Sequence, residues 1–281
     1  MTRPDWLRIR HAHNPNLHAV EALLTNLNLN TVCREANCPN YIECFSKQTA
    51  TFLILGTYCT RNCLFCNVQY AAPTPADPTE PQRVAEAVAA LGLSYAVVTS
   101  VTRDDLPDGG AAQFAATVRA IRQAAPQTAT EVLIPDFQGR ADALQVVTDS
   151  APDVISHNME TAADLYARIR PEADYARSLA VLRNIKTQSP AIRSKTGIML
   201  GLGETRAQVL TLFDDLRAVG CEFLTIGQYL PPSAAHAPVR EYVTPEVFEE
   251  YGEIARAMGF AFAASAPLVR SSYRAGDALG M

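Results

Sequence analysis

The sequence predicts an α/β fold, an open partial (β/α)6 barrel of the TIM type. Short apolar runs alternate with longer helix-like stretches, which is the pattern of β/α units and a parallel sheet. Most runs are apolar at nearly every position, as expected for strands buried on both faces. Six such units are too few to close an eight-stranded barrel. The runs lie at residues 51–56, 95–101, 130–135, 154–158, 195–200 and 223–228.

The stretches between these runs have the features of amphipathic helices. In one of them, Phe114, Val118 and Ile121 are spaced four and then three residues apart, so they share one helical face. Gly220 and Gly259 follow two of the stretches at positions where helices commonly end. The predicted helices span residues 81–91, 109–125, 174–186, 205–219 and 245–258.

The chain is expected to have three parts. Residues 51–245 form the barrel, residues 1–50 form an N-terminal extension laid over its mouth, and residues 246–281 form a C-terminal extension. In a parallel barrel, the active site gathers at the C-terminal ends of the strands. We therefore expect the functional residues to follow the apolar runs.

Composition excludes several classes of function. The formal net charge of the 281 residues is −5, and there is no long basic run, which argues against a nucleic-acid partner. No apolar run is long enough to cross a membrane, so a soluble protein without a membrane partner is expected, and a monomer is the default. Residues 1–10 lack the apolar segment of a secretory signal, which with the seven cysteines predicts a reducing compartment, the cytoplasm.

Six of the seven cysteines form two tight triplets. Cys33, Cys38 and Cys44 have the spacing C-x4-C-x5-C, and Cys59, Cys63 and Cys66 have the spacing C-x3-C-x2-C. Three closely spaced thiolates can hold three irons of a [4Fe–4S] cluster, and the fourth iron then needs another ligand. An iron with an open position can bind a small molecule. Two triplets predict two clusters with different roles.

Zinc sites and disulfides fit the cysteine spacing less well than iron–sulfur clusters do. Structural zinc favours paired cysteines completed by a second pair of Cys or His, whereas each triplet here stops at three and the five histidines lie elsewhere in the sequence. A disulfide framework is typical of small secreted chains. The remaining cysteine, Cys221, precedes an apolar run and is expected to be a small buried core residue.

Several motifs resemble the radical S-adenosylmethionine superfamily. The C-x3-C-x2-C triplet follows the first predicted strand, with Phe65 just before its last cysteine, and residues 197–204 match the pattern G-x-I-x-G-x-x-E. The upstream triplet and the Arg-Ser-Ser-Tyr sequence at 270–273 are similar to the lipoyl synthase family within it, over residues 31–273. The chain departs from the usual pattern at Asn67, where Asp is common, and at Ala266, where Gly is common.

The resemblance implies a role for each residue of the first site. Cys59, Cys63 and Cys66 would hold a catalytic cluster whose open iron is chelated by S-adenosylmethionine, with Phe65 near its adenine. Further expected cofactor contacts are Asn158 and Glu160 for the ribose hydroxyls, Arg170 or Arg177 for the carboxylate, and Leu200 within the G-x-I-x-G-x-x-E motif. By residue chemistry alone, Phe65 could equally be a core residue, Asn158 and Glu160 helix caps, and both arginines surface residues.

For the second site, the resemblance implies an auxiliary [4Fe–4S] cluster on Cys33, Cys38 and Cys44 with Ser272 as its fourth ligand. From its residues alone, the Arg-Ser-Ser-Tyr sequence would be a turn. The implied reaction is radical insertion of two sulfur atoms, taken from the auxiliary cluster, at C6 and C8 of an octanoyl-lysine. The carrier would be a lipoyl domain, either 2-oxoacid dehydrogenase E2 or glycine cleavage H protein, and the electron donor a ferredoxin or flavodoxin.

Two further functions stay open at this point. A different two-cluster radical enzyme could use its second cluster as an electron relay, although such enzymes usually carry a longer cysteine-rich C-terminal domain. A non-enzymatic module could bind zinc at both triplets.

Overall fold

The computed structural model describes residues 2–8, 15–46 and 49–281. Its main element is an eight-stranded sheet with the order β1-β2-β5-β6-β7-β8-β9-β10. The ten strands are β1 Asn30–Thr31, β2 Thr51–Ile54, β3 Tyr58–Cys59, β4 Gln69–Tyr70, β5 Tyr95–Ser100, β6 Ala129–Leu133, β7 Val154–Ser156, β8 Arg193–Leu200, β9 Phe223–Gln228 and β10 Phe262–Ser265.

The strand pairing confirms the open partial barrel. From β2 to β10 every neighbouring pair is parallel, and the short β1 is antiparallel to β2 at the edge. Within the described residues, β10 does not pair with β1, so the sheet is not closed. All six predicted strands are present. The boundaries of the expected extensions, after residues 50 and 245, stay a prediction.

The structure adds a seventh parallel strand to the six that the sequence indicated. Strand β10 pairs with β9 from Phe262↔Phe223 to Ser265↔Ile226, within the segment expected to be a C-terminal extension. The sequence signal was weak because this strand is short and half-buried, and has alanines where buried strands usually carry branched residues. Its position matters because the chain leaves β10 directly towards a cavity at the barrel mouth.

Helices cover the sheet. Helix α9 begins with a capping box, in which Thr205 Oγ1 accepts from Gln208 N and the Gln208 side chain accepts from Thr205 N. As predicted, Gly220 and Gly259 follow helices with positive φ angles of 75° and 90°. The helices are α1 Pro15–Asn26, α2 Val32–Glu35, α3 Tyr41–Ser46, α4 Glu80–Leu91, α5 Ala111–Ala124, α6 Ala141–Asp149, α7 Tyr166–Ile169, α8 Tyr175–Gln188, α9 Arg206–Ala218 and α10 Pro245–Ala257.

Inside the barrel, near the N-terminal ends of the strands, lies a buried ion pair. Lys195 Nζ lies 2.9 and 2.8 Å from the two carboxylate oxygens of Glu131, and both side chains are 1% exposed. The Tyr95 hydroxyl donates to Glu131 Oε2 at 2.7 Å. The charges of the pair are thus matched and hydrogen-bonded, as buried charges require.

Among the described residues, every helix is too short or too polar to span a membrane.

Candidate active site

A cavity of about 960 Å³ lies at the C-terminal ends of the barrel strands. Both cysteine triplets line it, together with the Arg-Ser-Ser-Tyr segment from the other end of the chain. The Arg-Ser-Ser-Tyr segment, at 270–273, lies far from both triplets in the sequence. The structure therefore brings together all six cysteines of the triplets and Ser272. Cys221 is fully buried in the core, as expected.

The first triplet lies on the loop that follows β2. Cys59 is in β3, and the short β3–β4 ladder pairs Cys59 with Tyr70, which closes the loop that carries Cys63 and Cys66. Burial raises the pKa of the Cys63 thiol to about 11 and that of Cys66 to about 12. The positive charge of Arg170 lowers the pKa of Cys63 and so partly offsets the effect of burial. Without a metal both thiols are protonated at neutral pH, and an iron ion would displace the protons.

The second triplet lies on the two short helices of the N-terminal segment. Cys33 is in α2, Cys44 is in α3, and Cys38 lies between them. Burial raises the pKa of Cys33 to about 11 and that of Cys44 to about 12. Burial also raises the pKa of Cys38, and the charge of Arg270 counteracts it. Each triplet therefore has an arginine whose charge favours a thiolate.

The C-terminal segment is held against the second triplet by specific contacts. Asn40 Nδ2 donates to Leu268 O at 2.7 Å, and the Tyr273 hydroxyl donates to Glu43 Oε1 at 3.1 Å. Ser272 lies just before Tyr273 and lines the cavity beside Cys33 and Cys44. The expected turn is present, and its serine lines the same cavity as the three cysteines.

The path of this segment depends on a close approach to β9. Gln228 N donates to Pro267 O at 3.1 Å, and Ala266 N donates to Ile226 O at 3.2 Å. The carbonyl oxygen of Val269 lies so near Gly227 that a Cβ atom there would overlap it. A glycine at the end of β9 is therefore required for the segment to reach the cavity.

Asn158, Glu160 and Arg170 form a connected polar group in the cavity wall. Asn158 Nδ2 donates to Glu160 Oε1 at 2.9 Å, and Arg170 Nη1 donates to Asn158 O at 2.8 Å. Burial raises the pKa of Glu160, and the charge of Arg170 opposes that effect. Glu160 has a φ of 66°, and its backbone bridges to Ile198 of β8. The chain thus bends after β7 and turns these side chains towards the cavity.

Four buried polar atoms of the cavity lining have no hydrogen-bond partner among the described residues. They are Ser100 Oγ, His157 Nε2, Asn158 Oδ1 and Arg170 Nε. A buried polar atom without a partner is costly, so these positions indicate a polar ligand. The ligand has to offer donors to the Asn158 oxygen and an acceptor to the Arg170 N–H. The ammonium, hydroxyl and carboxylate groups of S-adenosylmethionine meet both demands.

His157 and Ser100 were missed by the sequence analysis. His157 Nδ1 lies 2.9 Å from Ile134 O, so Nδ1 carries the hydrogen and Nε2 is left as an acceptor. Burial, and then the charge of Arg170, lower the pKa of His157 to about 4, so the ring is neutral at neutral pH. The available signal was the position of His157, directly before Asn158 at the end of a predicted strand.

Two expected cofactor contacts do not line the cavity. Arg177 lies on α8, where its Nη1 donates to Asp136 Oδ2 at 3.2 Å. The Leu200 side chain is 2% exposed and packs in the main core, while the cavity wall next to it is formed by residues 197–199. Phe65 does line the cavity. The structure thus brings Arg170, but not Arg177, to the site, and the roles of these residues stay predictions.

The G-x-I-x-G-x-x-E motif has a clear structural basis. The Glu204 carboxylate accepts from Gly201 N at 2.5 Å and from Leu202 N at 3.0 Å, and these hydrogen bonds stabilise the loop after β8. Gly201 has a φ of 97°, and a Cβ there would overlap the Gln228 side chain. A Cβ on Gly197 would lie 2.9 Å from Asn158 Oδ1. Gly197 therefore leaves room for Asn158, and Gly201 leaves room for Gln228.

The charge of the cavity suits thiolate-bound clusters. Among the described residues, no group of three or more His, Cys, Asp or Glu side chains is arranged to hold a single metal ion. The case for the clusters rests on the donor set, three cysteines at each position, and on cationic surroundings in a chain of net charge −5. The charged residues of the lining are Arg3, Arg8, Arg61, Arg170, Arg270 and Glu160. Of these, Arg61 is neutralised by Asp104 and Asp136, which lie outside the lining.

Comparison with known proteins decides the family. The model of the Radical SAM superfamily matches residues 53–216. The lipoyl synthase of Alkaliphilus metalliredigens is 57% identical over 277 residues, covering 99% of this chain and 96% of the relative. The chain belongs to the lipoyl synthase family. The lipoyl synthase of Geobacter metallireducens is likewise 57% identical, over 97% of this chain and 96% of the relative.

Solved structures support the fold of this lipoyl synthase family member. Methylornithine synthase (PylB) has a TM-score of 0.55 at 12% identity, covering 93% of this chain and 85% of that one. Streptococcus suis SuiB bound to precursor peptide SuiA has a TM-score of 0.59 at 12% identity, covering 95% of this chain and 57% of that one. At such identities the likeness shows the barrel fold alone.

Membership of the family makes the protein an enzyme. It is a radical S-adenosylmethionine lipoyl synthase, and its cofactors are S-adenosylmethionine and [4Fe–4S] clusters. The non-enzymatic zinc module is therefore set aside. The three-cysteine donor sets and the unpartnered polar atoms of the wall fit these cofactors.

Proposed function

We propose that the cavity carries out radical insertion of two sulfur atoms at C6 and C8 of a protein-bound octanoyl-lysine. The observation that carries this proposal is the shared cavity, since both triplets and Ser272 line it. When bound, the cofactors supply a radical able to break unactivated C–H bonds and a sulfide to replace the hydrogen. The contribution of the chain is to bind, orient and shield these groups.

Cys59, Cys63 and Cys66 would hold the first cluster and leave one iron open for S-adenosylmethionine. The ligand would take the place beside residues 157–160 and Arg170, where it completes the missing hydrogen bonds of the wall. Arg170 is the better candidate for the carboxylate, because it lines the cavity and has an N–H without a partner. Phe65 would cover the adenine from the loop of the first triplet.

Cys33, Cys38, Cys44 and Ser272 would hold the auxiliary cluster that donates sulfur. A serine oxygen is a harder ligand than a thiolate and its hydroxyl is far less acidic. The iron–oxygen bond is therefore lost more readily on protonation, which suits a cluster that is dismantled. Contacts on both sides of Ser272, from Leu268 to Asn40 and from Tyr273 to Glu43, hold this segment against the residues around the second triplet.

The octanoyl chain would lie along the apolar part of the same cavity. An alkyl group has no polar atom for recognition, so an apolar wall of the right shape has to select it. Leu53, Val101, Ile134 and Ile198 supply such a wall from four different barrel strands or the residues just after them. The substrate methylene groups would thus lie in the cavity that both triplets line.

The protein acts on a lipoyl carrier. Its partner would be 2-oxoacid dehydrogenase E2 or glycine cleavage H protein, and a ferredoxin or flavodoxin would supply electrons. We assign the protein to the cytoplasm as a monomer. The cysteine content supports a reducing compartment.

Two triple variants test the proposal. Anaerobic incubation with an octanoyl-lysyl peptide, S-adenosylmethionine and a strong reductant is followed by mass spectrometry. Replacing Cys59, Cys63 and Cys66 by alanine should abolish 5′-deoxyadenosine and product together. Replacing Cys33, Cys38 and Cys44 by alanine should keep 5′-deoxyadenosine and abolish the lipoyl product. Lipoyl product from the second variant would show that the auxiliary cluster is not the sulfur source.

A further inference from the structure

The loop of the first triplet contains a buried arginine that the function described so far does not use. Arg61 lies between Cys59 and Cys63, and its side chain is 6% exposed. Taking a guanidinium out of water is costly unless its charge and its N–H groups are matched. The surroundings of Arg61 therefore need an explanation.

Two carboxylates from different strand ends meet this arginine. Asp104, after β5, accepts from Arg61 Nε at 2.6 Å and from Nη2 at 2.9 Å. Asp136, after β6, accepts from Nη1 at 3.0 Å and from Nη2 at 2.7 Å. Both contacts are bidentate, which is the strongest geometry for such a pair. Although burial works against the charge, the hydrogen bonds from Arg61 hold the pKa of Asp136 well below its ordinary value.

A second cation completes the group. Arg177 Nη1 lies 3.2 Å from Asp136 Oδ2, so two guanidinium groups face two carboxylates and the formal charge of the network is zero. This network explains why Arg177, expected at the cofactor, lies outside the cavity lining. Removing any one member would leave a net charge in a buried place beside the first triplet.

Backbone contacts connect the same loop to a sulfur atom. Thr102 N donates to Cys59 Sγ at 3.3 Å, and Arg61 N donates to the same sulfur at 3.5 Å. Thr60 fastens this arrangement, because its Oγ1 donates to Thr102 O at 3.0 Å and accepts from Asp104 N at 3.1 Å. The ion pairs of Arg61 and the N–H groups on Cys59 are thus connected through one network of hydrogen bonds.

Reduction potentials of iron–sulfur clusters depend on local charge and on hydrogen bonds to the sulfur ligands. We propose that Arg61, with Asp104, Asp136 and Arg177, is a charge-balanced positioning element that holds the loop around Cys59 and sets the reduction potential of the first cluster. The inference rests on the proposed function, since it assumes a cluster on Cys59, Cys63 and Cys66. These residues position the cluster ligands and need not touch substrate.

The sign of the potential shift tests this assignment. A cluster gains negative charge on reduction, so an uncompensated carboxylate nearby disfavours reduction and an uncompensated guanidinium favours it. Arg61→Met should therefore shift the midpoint potential to more negative values. Asp136→Asn should shift it to more positive values. The variant with both substitutions keeps Asp104 and Arg177, whose charges cancel. Its midpoint potential should therefore be close to that of the parent.

The measurement is an EPR-monitored redox titration at pH 8 of the full-length chain carrying Cys33, Cys38 and Cys44 replaced by alanine, so that one cluster gives the signal. Arg61→Lys keeps the positive charge, so its midpoint potential should be nearer that of the parent than the midpoint potential of Arg61→Met. Asp142→Asn removes one partner of the exposed Arg140–Asp142 pair and should leave the potential unchanged. Loosening of the structure alone would move both single variants in the same direction.

The outcomes separate the two proposals. Shifts of opposite sign that cancel in the double variant support the positioning element. Shifts of the same sign in Arg61→Met and Asp136→Asn, or no shift in either, overturn it. If Arg61→Met does not load iron, the test uses Asp136→Asn and Asp104→Asn instead. Each leaves Arg61 with one carboxylate, so each should shift the midpoint potential to more positive values, and no shift or a negative shift overturns the proposal. Absence of a cluster, or of 5′-deoxyadenosine, in the parent chain would instead contradict the proposed function.

Discussion

Gly227→Ala should separate radical formation from sulfur insertion, although Gly227 is not a ligand of either cluster. The added Cβ would overlap the carbonyl oxygen of Val269, which is a backbone atom and cannot rotate away. The segment that carries Val269 is also fixed by Gln228 N–H on Pro267 O and by the Asn40 side chain on Leu268 O. The overlap therefore has to be relieved by moving the segment that ends in Ser272.

The size of the effect follows from the kind of contact. Overpacking by one methyl group typically costs about 1–3 kcal/mol. In a chain of this length, each kcal/mol lowers the melting temperature by about 2–4 °C. We therefore expect a folded protein whose melting temperature is lower by about 2–12 °C. A shift of the serine by even a fraction of an ångström is enough to weaken a metal–ligand bond, so the functional loss should exceed the loss of stability.

The assay compares 5′-deoxyadenosine with lipoyl product in one anaerobic reaction, after iron content has been measured. Gly227→Ala should still form 5′-deoxyadenosine and should lose most of the lipoyl product. Gly276→Ala is the matched control, because its Cβ would lie 3.5 Å from the Tyr95 Cβ, an ordinary contact at the same end of the chain. Product formation at the parent rate would refute the reasoning. An equal loss of both products would place the damage at the first site instead.

Three further predictions concern other residues. Ser272→Ala should keep S-adenosylmethionine cleavage and form little lipoyl product, whereas Ser271→Ala should be affected less; the reverse result in the same assay would assign the ligand to the other serine. Lys195→Met should lower the free energy of unfolding by about 3–5 kcal/mol in urea titrations, because it leaves a buried carboxylate unpaired, and adding Glu131→Gln should restore much of it. His157 has a folded pKa of about 4 against an ordinary value of 6.5, so the unfolded chain binds the extra proton and stability falls as pH drops between these values. The loss attributable to this ring should reach about 3 kcal/mol below pH 4, and His157→Phe should remove it; an identical pH dependence in the variant would contradict the assignment.

Much of the fold could be predicted because it depends on local patterns. Buried parallel strands leave apolar runs, and helices leave a periodic apolar face, so all six predicted strands were found in the structure. The sequence did not predict strands β1, β3, β4 and β10 or helices α1, α2, α3, α6 and α7. Strand β10 is short and half-buried, so its packing on β9 and α10 sets its conformation more than its own residues do.

The sequence by itself indicated iron–sulfur chemistry, since each cysteine triplet offers three thiolates to a [4Fe–4S] cluster. Ser272 as a further ligand came from the family resemblance of the Arg-Ser-Ser-Tyr sequence and stays a prediction. Only the tertiary structure decided which groups meet. Cys33 and Ser272 line the same cavity because the chain returns to the barrel mouth after β10. Arg170 rather than Arg177 lines the cavity because Asp136 holds Arg177 outside it. Ligand types are properties of single residues, whereas distances between strand ends depend on how the whole sheet is assembled.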